Sequence, residues 1–113
     1  MSYDLCFWRQ DKPATEPRET YEKLAGNSPV SDVLELPTEE IFESLKITFA
    51  DWECPDEHSF EKAGRAFQVH NSKYLFEFMC YGLSGEDMNK IIDVMLPFGC
   101  YLYDPQVGER FDG

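Results

Sequence analysis

Two hydrophobic periods alternate along this chain in short stretches, and that alternation limits its fold more than any other feature. A period of two marks Tyr3 to Trp8, where Tyr3, Leu5 and Phe7 share a side. Strand patterns return at Arg65 to His70, Tyr74 to Tyr81 and Cys100 to Tyr103, the last closed by Asp104-Pro105. Helix punctuation fills the intervals. Glu16 to Ala25 reads as a short helix, with Thr15 as N-cap, Pro17 in its first turn and Gly26 as its stop. Asn27-Ser28-Pro29 follows as loop. A second helix from Pro37-Thr38 to Phe49 places Ile41, Phe42, Leu45 and Phe49 on one face. Its Glu39, Glu40 and Glu43 point away and cluster in the first turns, where the helix dipole favours acids. Ser84, with Asp87 at the capping-box position, opens a third helix. Met88, Ile91, Ile92 and Met95 form its apolar stripe, and Gly99 ends it.

The resulting order is β-α-α-β-β-α-β. With 113 residues the chain has the length of a single domain. Apart from the extra helix in the first crossover, this is the split β-α-β pattern of an α+β, ferredoxin-like fold. Right-handed crossovers then give a four-stranded antiparallel sheet with helices on one face. The competing arrangement is a β-hairpin packed elsewhere in an α+β domain. A two-residue turn at Asn71-Ser72 sets Val69 opposite Tyr74 and Phe67 opposite Phe76, which gathers large apolar side chains on one face. Asp51 to Gly64 carries Pro55, Gly64 and many acids without clear periodicity, and reads as a surface loop.

Alternation also fixes the two sides of that sheet. Tyr3, Leu5, Phe7, Phe67, Val69, Tyr74, Phe76, Phe78 and Leu102 should face the helices. The opposite face then carries Asp4, Cys6, Trp8, Gln68, His70, Leu75, Glu77, Met79, Tyr81, Tyr101 and Tyr103, an unusually aromatic surface to leave in water. Three things could occupy it: a chain segment such as the Pro-rich loops or Gln106 to Gly113, a second copy in a homodimer, or a foreign partner. At the C-terminus, Val107-Gly108 should reverse the chain and lay Arg110 and Phe111 back on the body.

The charge is as uneven as the hydrophobicity is regular. There are 22 acidic residues against 10 basic ones, a net charge of −12. From Asp32 to Glu61 the chain has ten acids and a single base, Lys46, a local charge of −9. Such a field repels nucleic acid and anionic membrane and attracts basic partners. The aromatic face could suggest an RNA-binding sheet, but Tyr74-Leu75-Phe76-Glu77-Phe78 has neither a basic rim nor the RNP pattern. No segment approaches the roughly 20 apolar residues that span a bilayer. Met1-Ser2-Tyr3-Asp4 lacks the basic start and apolar run of a secretory signal, so the cytoplasm is the expected location. Cys6, Cys54, Cys80 and Cys100 contain no Cys-x-x-Cys pair and are expected as reduced thiols, with Cys6, Cys80 and Cys100 buried in strands.

Catalytic and metal chemistry find little purchase. Cys54-Pro55-Asp56-Glu57-His58 gathers candidate ligands, but it supplies only one Cys and one His where zinc wants two to four converging; it reads as a solvated acidic loop. His70 could act as a base oriented by Glu77, yet the register above does not pair them and no nucleophile lies nearby. Gly82-Leu83-Ser84-Gly85 lacks the spacing of a nucleophile elbow, and no phosphate-cradling glycine loop is present. The expectation is a protein without a catalytic site, metal or cofactor.

Three segments carry a resemblance. The opening Met1-Ser2-Tyr3-Asp4-Leu5-Cys6-Phe7-Trp8, the stretch Tyr81-Gly82-Leu83-Ser84-Gly85-Glu86-Asp87, and Tyr103-Asp104-Pro105-Gln106 resemble small acidic bacterial immunity proteins of polymorphic or contact-dependent growth inhibition toxin systems. The resemblance covers both ends of the chain and leaves the acidic middle unmatched. It implies a non-catalytic protein that binds and neutralises a toxin. Toxins that cut nucleic acid are basic around the active site because they bind phosphate, which matches the acidic field. On this reading Asp51, Glu53, Asp56, Glu57 and Glu61 supply the field, Trp52 is an anchor among them or a pin holding the loop to the core, and Trp8, Tyr101 and Tyr103 add aromatic contact. The alternatives are a small-ligand-binding or regulatory ferredoxin-like domain, dimeric through its sheet, and an enzyme using His58 or His70.

Overall fold

β1 (Ser2–Gln10) is the strand around which the rest is arranged, because the aromatic alternation noted above gives it a buried side chain on both faces. The computed structural model describes residues 2–10, 17–26, 33–56, 58–106 and 109–111. Helix α1 (Pro17–Ala25) and the two-residue strand β2 (Val33–Leu34) follow, then α2 (Thr38–Thr48). Next come β3 (Glu53–Asp56), β4 (Ser59–Lys62), β5 (Arg65–Asn71) and β6 (Phe76–Tyr81). Helix α3 (Gly85–Met95) runs into a 3-10 turn, and β7 (Cys100–Asp104) and β8 (Glu109–Phe111) close the chain. The expected Thr15 cap and the Asn27-Ser28-Pro29 loop lie outside the described residues.

The fold is mixed α+β, built on an open antiparallel sheet ordered β3-β4-β5-β6-β1-β7-β8, with β2 pairing onto the end of β1. Four strands was therefore too few. The segment Asp51 to Gly64, expected as a loop, contributes the β3–β4 hairpin. Its pattern was unreadable because β3 is exposed at every position and β4 buries only Phe60. Pro55 and the charges, which looked like loop signals, are the usual composition of a protected sheet edge. β2 is too short to show a period. At the other end residues 109–111 pair antiparallel with 102–104, while the expected reversal at Val107-Gly108 lies outside the described residues.

The β5–β6 register also differs from expectation. Val69 faces Phe78 and Phe67 faces Cys80, four residues further along β6. Residues 72–75 leave the ladder: the Ser72 N–H donates to the Leu75 carbonyl at 2.9 Å, and Lys73 accepts from the Leu36 N–H at 2.7 Å. A shift of an even number of residues keeps every side chain on its side of the sheet, so the core assignment survives. Phe67, Val69, Phe76 and Phe78 are buried with Ile41, Leu45 and Phe49 of the α2 region and Ile91 and Met95 of α3. Tyr3 and Tyr74, assigned to the same side, are instead exposed at the margins. α3 begins with the expected capping box, in which Ser84 accepts from the Asp87 N–H at 3.1 Å and Asp87 accepts from the Ser84 N–H at 3.2 Å. The 3-10 turn that follows α3, Leu96–Phe98, ends at Gly99, whose φ of 78° favours glycine; a Cβ there would also lie 3.1 Å from Arg9 Cδ.

The helices do not share one face. α2 and α3 cover the first side, while α1 crosses to the second, where Leu24 and Tyr21 pack with Cys6, Trp8, Val33, Leu75 and Tyr103. The expectation included a second helix in the first crossover but placed all helices on one face, which α1 contradicts.

Candidate functional site

The acidic segment is organised by the β3–β4 hairpin and the turn leading into it. Asp56 shapes its tip, accepting from the His58 N–H at 2.8 Å and the Ser59 hydroxyl at 3.2 Å. Glu53 pairs with Glu61, and Asp56 with Ser59; the register slips by one residue between them. Residues three apart on a regular strand point to opposite faces, so the slip is what brings Glu53 and Asp56 to the same face. Glu53 and Glu61 are thus like charges directly opposed, both exposed, and without a cationic partner among the described residues. Asp51 differs: Lys62 donates to its carboxylate, and chiefly that bond holds Asp51 below the usual carboxylate range. Glu57 lies outside the described residues.

Trp52 serves the pinning role. It is only 7% exposed, its ring 5.2 Å from Phe49 and 5.8 Å from Phe67. The Arg65 guanidinium lies 5.1 Å from the Trp52 ring centroid and pairs with Asp87 at 2.9 Å. The hairpin is therefore tied to α3 through Trp52, Arg65 and Asp87, and Trp52 offers little surface to a partner.

Trp8 and Tyr103 are likewise buried, at 0% and 1% exposure. The aromatic face expected in water is covered over this part by α1; the Pro-rich loops lie outside the described residues, and of the C-terminal segment Gln106 bonds the Asp4 backbone. Trp8 and Tyr103 rings meet at 5.3 Å, and Tyr21 stacks on Tyr103 at 5.1 Å. Tyr21 donates to Glu77 at 2.6 Å, and the Cys6 thiol donates to the same oxygen at 3.4 Å. Burial, then the bond to Glu77, raises Tyr21; burial, then the Glu77 charge, raises Cys6. Burial also pushes Cys80 up to about 12. All four cysteines are free, and the exposed one is Cys54. Tyr101 sits in β7 opposite Trp8.

α1 leaves the rest of this face open. Cross-strand partners share a face, so the pairing can be followed in rows. One row runs Glu53, Glu61, Ala66, Tyr81; the next Asp56, Ser59, Gln68, Met79, Asp4. A third runs His70, Glu77, Cys6, Tyr103 and passes beneath α1. His70 and Glu77 are thus direct partners after all, because of the four-residue register shift. Glu77 is already engaged by Tyr21 and Cys6, so it is not a free orienter for His70. Two clefts border the open rows: one of about 460 Å3 whose lining includes Glu53, Glu61 and Ala66, another of about 750 Å3 whose lining includes Ser59, Gln68 and His70. His58 also borders the larger cleft, but its ring packs 5.2 Å from Phe42 on the α2 side, and no hydrogen bond joins it to His70 among the described residues. Among the described residues no three His, Cys, Asp or Glu side chains gather to hold a metal, and no helix is long and apolar enough to cross a membrane.

Sequence reasoning put Gln68, Met79 and Tyr81 on the face a foreign partner could occupy but did not single them out as partner-binding residues. The available signal was strand parity, which put them on the right face, but their continuity with Glu53 and Glu61 depends on a hairpin that read as loop. No protein-family model, curated protein or solved structure matches this chain.

Proposed function

We propose that this is a non-catalytic immunity-type protein that binds and neutralises a basic toxin, a nuclease in the most direct version, through the acidic β3–β4 hairpin. The observation that carries the reading is the Glu53–Glu61 pair: two exposed carboxylates held opposite one another with no cationic partner among the described residues. Like charges opposed across strands destabilise a hairpin, and a lysine or arginine from a partner relieves that cost on binding. The net charge of −12 supplies long-range attraction to the same class of partner. On the fold, we assign the central strands to the ferredoxin-like pattern; the pairing order β5-β6-β1-β7 supports this, with β3–β4, β2 and β8 as additions.

The test is capture of a partner from the source cell at low and high salt, followed by a neutralisation assay with the purified pair. Glu53→Gln with Glu61→Gln removes the two charges that the fold does not use. The double variant should weaken neutralisation about tenfold and reduce its salt dependence. Full neutralisation by that variant would remove the hairpin from the mechanism, and failure to recover any basic partner would remove the function.

A further inference from the structure

The carboxylates of the hairpin are continuous with an uncovered stretch of sheet. Cross-strand pairing leads from Glu53 and Glu61 across Ala66 to Tyr81, and the adjoining row leads to Met79 and Asp4. Tyr81 is 40% exposed, Gln68 is exposed, and Met79 and Asp4 are partly so. These rows contain no lysine or arginine among the described residues. The lysine and arginine at the margin, Lys62 and Arg65, are committed to Asp51 and Asp87. Asp4 sits partly buried in the field of Glu77, and burial, then that field, raises its carboxyl. The surface therefore has an apolar centre in Met79 and Tyr81 and acids around it, the anatomy of a protein interface whose partner is positively charged.

We propose that this open half of the sheet is the docking surface, and that its occupant is a basic protein segment. The segment seats an apolar side chain on Met79 and Tyr81 while its lysine or arginine side chains reach Glu53, Glu61 and Asp4. Charge complementarity selects that occupant over a second copy, since two such strips, whose described residues include acids and no lysine or arginine, repel each other. The inference rests on the basic-partner reading above and says where on the molecule the contact falls.

The experiment titrates the labelled full chain at low salt with a short peptide of alternating arginine and leucine, following backbone amide resonances. Saturable shifts at Ala66, Gln68, Met79 and Tyr81 are expected. Tyr81→Ala should lower affinity about fivefold. Gln68→Lys, an added positive charge at an exposed position that need not disturb folding, should lower it about tenfold. Replacing Glu39, Glu40 and Glu43 with glutamine should leave affinity within about twofold. Shifts confined to α2, or affinity unmoved by both sheet variants, would overturn the docking surface while leaving the basic-partner reading in place. No saturable binding at low salt would overturn both.

Discussion

Asp87 shows how one side chain can join elements far apart in sequence. It accepts from the Ser84 N–H at 3.2 Å and from Arg65 at 2.9 Å, while its own N–H donates to the Ser84 hydroxyl at 3.1 Å. Burial would raise its carboxyl, but the bonds to Ser84 and the Arg65 guanidinium outweigh burial and hold it below the ordinary carboxylate value. The unfolded chain therefore binds this proton more readily than the folded one. The stabilisation is complete above the unfolded pKa of Asp87 and disappears as pH falls through the lower folded value. Asp87→Ala should cost about 2 kcal/mol at neutral pH in chemical denaturation. It should also flatten the acid limb of the stability–pH curve; an unchanged limb would assign acid sensitivity to other carboxylates. The capping box was legible in Ser84-x-x-Asp87 because capping is local. Arg65 was not, because only folding brings a residue from another strand to the start of α3.

Elements were legible in proportion to how one-sided they are. α2 and α3 bury a single stripe and expose the rest, so their residues displayed the helical period directly. The β3–β4 hairpin buries Phe60 alone, and nothing in its pattern separates it from a charged loop. α1 was found, but not its destination, since a helix with an apolar stripe can cover either side of a sheet. What holds it to the second side is partly polar. Tyr21→Phe removes the 2.6 Å bond to Glu77 while keeping the ring stacked on Tyr103. Amide exchange within α1 should then accelerate about tenfold with β5 and β6 unchanged, as local opening of one element requires. Equal acceleration in α1 and the sheet would show that α1 opens only when the whole molecule does.

At the scale of the molecule, charge works against compactness. A net charge of −12 is carried by a body of 39 × 28 × 25 Å. At about 10 mM salt the screening length is roughly 30 Å, so like charges across the whole body repel; at about 150 mM it is roughly 8 Å. The melting temperature should rise over that interval in a neutral-pH thermal scan, by several degrees for a domain of this size. A fall would mean that favourable local pairs such as Lys62–Asp51 outweigh the general repulsion. On the proposed function, the same field would draw a basic partner toward the open sheet face.

The sequence by itself determined the α+β class, the faces of the strands and the residues of the main core, because alternation and helical stripes are properties of neighbouring residues. It determined the acidic field too, since charge adds up whatever the fold. Tertiary structure alone decided that Trp8 and Tyr103 lie under α1, that Trp52 pins the hairpin, and that Glu53 and Glu61 face each other beside an open strip of sheet. Those outcomes depend on the crossing of a helix to one side, a one-residue slip in an edge strand and a four-residue connection between β5 and β6. Each is a choice between arrangements with the same local pattern, and only packing over long sequence separations distinguishes them.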